Sequence, residues 1–355
     1  MQQRASVPIA PMTTLGLGGR AARFVEAAIE DDVALAVRDA EAHGDPLFVL
    51  GGGSNVVVGD GGFAGLVVKM ATRGIRVERD GDRMIVDVAA GEEWDAFVAR
   101  AVDEGWSGLE GMSGIPGLVG ATPMQNVGAY GEEVADTIVR VRAFDRHAGV
   151  FADIAGRDCG FAYRTSKFKT SDRWIIVRVA FTLRADGGES GVRYPELANA
   201  LQLREGGTAP ARTIRDTVLR LRRAKGMVVD AADPDSVSAG SFFVNPVVDD
   251  AGLRDVERRV HEGGLAREGE TMPRFAMPSG TWKLSAGWMI ERAGFPKGFG
   301  DGAVGVSRKH ALALVHRGGG TTRELLDLAR AIRDAVEARF GLVLVPEPVL
   351  VGCAL

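Results

Sequence analysis

A soluble fold mixing helices and strands, α/β in character where it begins, is what this sequence predicts. Three observations carry that reading. Apolar residues fill 46% of the 355 positions and charged residues 25%, a balance that suits two or three packed domains. Apolar runs of strand length alternate with longer runs of helical period. Glycine, at 48 residues, clusters in 16-GLGG-19, 51-GGGSN-55, 111-GMSGIPGLVG-120 and 318-GGG-320. Such clusters mark tight turns or places where backbone approaches a ligand.

Segment 31-DDVALAVRDAEAHG-44 predicts a helix, with Asp31 near its start and Gly44 at its end. A buried strand, a glycine turn and a second apolar run follow in 47-LFVLGGGSNVVV-58, and 66-LVVKM-70 is a third apolar run. Segment 74-GIRVERDGDRMIVDVAAG-91 predicts a hairpin centred on Asp80-Gly81, and 94-WDAFVARAVDEG-105 an amphipathic helix. Gly and Pro interrupt 108-GLEGMSGIPGLVGATPMQNVGAYGEEV-134 too often for one regular element. Strands are expected at 138-IVRVRAFD-145 and 174-WIIVRVAFTLR-184, then a helix at 213-TIRDTVLRLRRAKG-226 whose basic run is its polar side.

Further helices are expected at 251-AGLRDVERRVHEGG-264 and 285-SAGWMIERAG-294, with a strand at 311-ALALVH-316. The clearest helix is 322-TRELLDLARAIRDAVEARFG-341. Thr321 and Glu324 form a capping box, Leu325, Leu328, Ile332, Ala335 and Val336 share one face, and Gly341 ends it. The chain is expected to close with a strand over 342-LVLVPEPVLVG-352.

Charge and composition exclude several classes. A net charge of -4 offers no basic field for nucleic acid. No run approaches the roughly 18 apolar residues of a membrane span, and MQQRASVPIAPMTT lacks the apolar core of a signal peptide, so a cytoplasmic location is expected. The two cysteines, Cys159 and Cys353, form no CxxC pair. The five histidines are scattered without metal-ligand spacing, so no metal is expected.

Five features could carry chemistry. The turn 50-LGGGSN-55 leads from one apolar run into another; it is either a plain turn or a nest of amides for a pyrophosphate. The apolar loop 113-SGIPGLVGATPMQNVGAYG-131 suits either a pocket wall for a flat hydrophobic ring or a buried connection. In 163-YRTSKFK-169 an arginine and two lysines could clamp a carboxylate or form a solvated strand edge. Glu347, between Pro346 and Pro348, is a candidate general acid or an exposed edge residue. Ser241, in 238-SAGSFFVNP-246, lacks the G-x-S-x-G pattern and a neighbouring histidine, which leaves a core serine or a proton donor.

These segments together resemble the UDP-N-acetylenolpyruvoylglucosamine reductase family. The resemblance runs from 13-TTLGLGGRA-21 through 50-LGGGSN-55, 113-SGIPGLVGATPMQNVGAYG-131, 163-YRTSKFK-169, 239-AGSFFVNP-246 and 283-KLSAGWMIERAG-294 to 346-PE-347, in the family's order. It implies an α+β architecture: an FAD-binding fold of the vanillyl-alcohol oxidase (PCMH) type in two subdomains, plus a separate α+β substrate-binding domain. The implied limits are 1–72 with the C-terminal strand 342–355, then 73–222, and 223–341 for the substrate domain.

The family binds FAD non-covalently. NADPH reduces the flavin, which then reduces the enolpyruvyl ether of UDP-N-acetylglucosamine enolpyruvate. The resemblance places Gly52, Gly53, Ser54 and Asn55 and the turn Ser113, Gly114, Ile115, Pro116 and Gly117 on the FAD pyrophosphate. Gln125, Asn126 and Gly128 would line the flavin. Arg164, Ser241 and Glu347 match the catalytic positions. Arg164 would neutralise charge developing toward the substrate carboxylate, Glu347 would hydrogen-bond the same group, and Ser241 would protonate the enolate carbon. Tyr163, Tyr194, Lys225 and Asn245 would contact substrate. Met227 replaces a proline that the family usually carries after that lysine, and Val345 replaces a glutamate. A monomer is expected. Sugar and lactone oxidases of the same fold class are the enzymatic alternative; a flavin-binding sensor would have no need of a proton donor.

Overall fold

The computed structural model describes residues 2–169, 171–185, 187–204, 206–277 and 279–355. The chain divides into two compact units, one of residues 1–7, 21–52 and 64–228, the other of residues 8–20, 53–63 and 229–355.

The first unit holds two sheets. One runs in the order Arg4–Pro8, Arg20–Ala27, Phe63–Met70, Leu47–Leu50, with Leu47–Leu50 parallel to Phe63–Met70. Helix α1, Glu30–His43, buries Val33, Ala36, Val37 and Ala40 against Val25, Leu66 and Val68 of this sheet. It ends as its sequence predicts, at Gly44 in the left-handed conformation (φ 66).

The second sheet is antiparallel: Val150–Ala155, Ile138–Asp145, Trp174–Arg184, Arg83–Ala89, Ile75–Asp80. Its hairpin pairs Asp80 with Arg83, so the two turn residues are Gly81 and Asp82, one position later than Asp80-Gly81. Gly81, at φ 62, supplies the left-handed residue that a two-residue hairpin turn requires. Strand Trp174–Arg184 is buried on both faces. Ile175 and Val177 join the α1 core, while Val179, Phe181 and Leu183 pack with Trp94, Phe97 and Ala101 of helix α2, Trp94–Asp103. Helices α3, Pro195–Ala200, and α4, Ala211–Ala224, share a smaller core of Leu197, Ala198, Ile214 and Val218.

The second unit contains helices α5, Asp250–Glu262, α6, Ala286–Arg292, and α7, Thr322–Phe340. The capping box forms: Thr321 Oγ1 accepts from Glu324 N at 3.2 Å, and Thr321 N donates to Glu324 Oε2 at 2.7 Å. Leu325, Ile332 and Val336 are fully buried in a core with Trp288, Met289, Phe242 and Phe243, against which Leu328 and Ala335 also pack. A three-stranded antiparallel sheet runs Ser238–Ser241, Ala313–His316, Val304–Val306.

One expectation fails here. The closing segment is a strand only at Val349–Val351, parallel to Val56–Val58, rather than throughout 342–352. Pro346 and Pro348 have no N–H to give a ladder, so regular pairing begins after them.

Candidate active site

In the first unit the two glycine turns meet backbone to backbone. A Cβ at Gly52 would lie 2.6 Å from Gly117 Cα, so only glycine permits the approach. The second turn is fastened to the start of α2: Trp94 N donates to Gly117 O (3.0 Å), Trp94 Nε1 to Met112 O (3.0 Å), and Gly114 N to Asp95 Oδ1 (2.6 Å). Gly114 sits at φ 71. The Ser113 hydroxyl is fully buried and donates to Glu110 O at 2.6 Å, so its side chain closes the turn. Ile115, Pro116 and Gly117 are partly exposed.

Beside Gly114 lies Arg222, a residue the sequence reading placed on a polar helix face. It is only 9% exposed. Its Nε lies 3.5 Å from where a Gly114 Cβ would sit and makes no hydrogen bond among the described residues, and Nη2 donates to Met227 O at 2.8 Å. The nearby carboxylate, Asp95, is taken by Arg215 at 2.6 and 2.9 Å. Burial pushes the Asp95 carboxyl up, but the Arg215 and Gly114 hydrogen bonds hold it below its usual value. Burial also lowers the Arg222 guanidinium to about 10. A buried cation without a hydrogen-bonded carboxylate is costly unless an anion completes it. The glycine turns and Arg222 therefore fit an anionic group such as a pyrophosphate. Spacing could have revealed Arg222: Ala211, Ile214 and Val218 are buried at helical intervals, and 222 continues the series.

The loop 125–128 is held from within. Asn126, 1% exposed and at φ 47, donates through Nδ2 to Glu133 Oε2 (2.7 Å) and accepts at Oδ1 from Ala135 N (3.1 Å). Its side chain is thus a structural brace. Arg164, itself at φ 53, donates from Nη2 to Gly128 O (3.0 Å) and from Nη1 to Asn126 O (3.5 Å), and stacks 5.6 Å from the Tyr163 ring. Gln125 and Tyr163 are each partly buried.

Tyr194 and Lys225 come together through Tyr130, which sequence reading did not single out. The Tyr130 and Tyr194 rings meet edge to face at 5.5 Å, and Lys225 Nζ lies 5.6 Å from the Tyr130 ring centre. Lys225 is paired with Glu196 at 2.6 Å. Burial, with the Glu196 charge, pushes the Tyr130 phenol up to about 12, so it stays a hydrogen-bond donor. The signal in the sequence was an aromatic residue inside the glycine-bounded run 128-GAYG-131; the structure holds it at φ 50.

In the second unit Gly53, at φ 67, approaches Met12 so closely that a Cβ would lie 2.0 Å from its carbonyl oxygen. Ser54 and Asn55 follow, and Asn55 O accepts from Val349 N at 3.0 Å. Segment 241–244 pairs with 345–347: Val244 N donates to Val345 O (3.0 Å), Glu347 N to Phe242 O (2.8 Å), and Phe243 bridges Pro346. Ser241 and Glu347 thus lie on adjoining stretches of backbone. Phe242 and Phe243, each 1% exposed with ring centres 5.0 Å apart, anchor the Ser241 segment. Ser241 is partly exposed, and among the described residues its hydroxyl makes no hydrogen bond. Glu347 is partly exposed as well. Asn245 Oδ1 accepts from Ala286 N at 3.0 Å and so ties this segment to α6.

Among the described residues no cluster of His, Cys, Asp or Glu could hold a metal ion, and no helix is long and apolar enough to cross a membrane.

Residues 21–152 match the FAD binding domain family, and residues 233–351 match the family described as UDP-N-acetylenolpyruvoylglucosamine reductase, C-terminal domain. The UDP-N-acetylenolpyruvoylglucosamine reductase of Thermobifida fusca is 50% identical over 99% of this chain and 98% of its own length. That of Salinispora arenicola is 52% identical over 97% and 94%. The crystal structure of UDP-N-acetylenolpyruvylglucosamine reductase from Thermus caldophilus shares the fold, with a TM-score of 0.65 at 24% identity over 99% of this chain and 98% of that one.

Proposed function

We propose, for a chain that belongs to the UDP-N-acetylenolpyruvoylglucosamine reductase family, that it is an FAD oxidoreductase of peptidoglycan synthesis, reducing UDP-N-acetylglucosamine enolpyruvate to UDP-N-acetylmuramate with NADPH as electron source. The observation that supports this best is the pairing of 241–244 with 345–347. It supports the reading because Ser241 and Glu347 belong to two adjoining, anchored stretches of backbone.

The residues that would hold FAD are the turns Gly52–Asn55 and Ser113–Gly117 with Arg222 at its pyrophosphate, and Gln125, Asn126 and Gly128 at the flavin. When bound, FAD supplies the hydride that reaches the terminal carbon of the enolpyruvyl group. Arg164 would then bind the substrate carboxylate and neutralise the charge that develops there. Its guanidinium is held toward the 126–128 loop by two carbonyls, which orients it in advance of substrate. Glu347 would hydrogen-bond the same carboxylate. Ser241 would give its proton to the enolate carbon and regain one from solvent; an enolate is basic enough to take a proton from an alcohol, so no histidine is needed. Tyr163, Tyr194, Lys225 and Asn245 would hold the rest of the substrate. In this reading residues 1–72 with 342–355, and 73–222, form the flavin-binding part, and 223–341 the substrate domain.

Anaerobic stopped-flow measurement of flavin absorbance tests the proposal. NADPH should bleach the bound flavin, and the enolpyruvyl sugar nucleotide should restore its colour. Ser241→Ala should leave bleaching largely intact and slow the return by about 10²–10⁴. Equal loss in both half-reactions would make Ser241 a structural residue. No return of colour in the wild-type protein would overturn the assigned substrate.

A further inference from the structure

Lys225 does not stand open to solvent. Its Nζ is 2.6 Å from Glu196 Oε2, and both side chains are about one-third exposed, at 35% and 38%. Glu196 lies in the first turn of α3, and Tyr194 is the residue that precedes that helix. One short segment therefore carries both a proposed nucleotide contact and the counter-ion of another. The Tyr130 ring joins them, with Tyr194 on its edge and Lys225 near its centre. The Glu196 charge also bears on both phenols: after burial it is the next cause raising each of them.

A lysine ammonium has three donors and the carboxylate occupies one, so a phosphate oxygen can bind without Lys225 moving far. The approaching diphosphate nevertheless carries the same sign of charge as Glu196. A carboxylate a few ångströms away opposes it. We propose that Glu196 is a built-in counter-ion at the nucleotide end of the site, holding Lys225 before the sugar nucleotide arrives and competing with its diphosphate. The pair keeps the cation in place and sets the affinity below what Lys225 alone would give, which favours release of a product bearing the same diphosphate. This rests on the proposed role of Tyr194 and Lys225.

The test titrates the FAD-loaded protein with UDP, and with UDP-N-acetylglucosamine enolpyruvate, following flavin fluorescence or heat. Glu196→Gln should tighten both by about two- to fivefold, the scale of one part-exposed ion pair, and lower KM in step. Glu196→Asp should restore the wild-type affinity. In a Lys225→Met background Glu196→Gln should change affinity by a smaller factor. Unchanged or weaker binding by Glu196→Gln, while Lys225→Met alone weakens binding, overturns the counter-ion and leaves the lysine's role standing. If Lys225→Met alone has no effect, the nucleotide role of Lys225 fails and the counter-ion with it. A thermal midpoint for each variant separates these outcomes from misfolding.

Discussion

At the scale of single residues, two carboxyls next to the glycine loop matter for pH behaviour. Glu110 is fully buried; its Oε2 accepts from Gly108 N and Leu109 N, while Oε1 finds no donor among the described residues. Glu132 accepts from Gly111 N at 2.8 Å. Burial, and next the Glu110 charge, push the Glu132 carboxyl up from 4.5 to about 8, with the Gly111 hydrogen bond and Arg184 opposing the shift and Asp136 adding to it. The folded state therefore binds a proton that the unfolded state has released above about pH 4.5. The stability from this proton is fully present below that pH and is lost as pH rises through about 8. Glu132→Gln should flatten the fall in thermal midpoint between pH 5 and pH 9, with its largest gain over wild type at the alkaline end. An unchanged pH profile would mean that Glu132 is already ionised. Arg222 belongs to the same scale, because a single guanidinium turns a basic helix into a lining of the glycine turn.

Elements decide how the two glycine turns face each other. The turn after strand Leu47–Leu50 and the turn at 114–117 touch because Gly52 has no side chain to stand against the Gly117 backbone. In Gly52→Ala the new methyl would meet Gly117 Cα at 2.6 Å, with backbone on both sides, so the turns must part. FAD affinity should fall at least about tenfold, the equivalent of ~1.4 kcal/mol, measured by titrating apoprotein and following flavin fluorescence. Gly61→Ala, which has open space around it, is the matched control and should retain FAD. Equal affinity in the two variants would show that the contact does not shape the cofactor site. The helices, by contrast, owe their limits to their own sequence: the Thr321–Glu324 box and Gly341 bound α7, and Gly44 bounds α1.

For the whole molecule, the match to the FAD binding domain family over 21–152 and the reductase relatives along nearly the full chain give the cofactor a thermodynamic consequence. A ligand that binds only the folded state stabilises it by mass action. FAD at a hundred times its Kd should add about 2.7 kcal/mol to the stability of the apoprotein. Differential scanning calorimetry with and without FAD reads this directly. Complete unfolding should release all of the flavin, because the proposed attachment is non-covalent; flavin that stays with the chain after unfolding would contradict it.

By itself the sequence determined the local elements and the order of the motifs. Helices such as 31–44 and 322–341 announce themselves because a helix is held by near neighbours, and caps and a 3.6-residue apolar period are written over a few turns. The Gly-rich loops, Arg164, Ser241 and Glu347 could be proposed as site residues for the same reason: each sits in a short, distinctive run. What lay beyond local pattern was decided by packing between distant segments. The burial of Arg222 depends on a helix face meeting the Gly114 turn. The grouping of Tyr130, Tyr194, Lys225 and Glu196 depends on loops brought together across the first unit. The closing strand, read as continuous over 342–352, was shortened by its prolines, while its neighbouring residues found a partner in 241–244 instead. Local propensity says which way a side chain points along its own element; only the closure of long loops says what it will face.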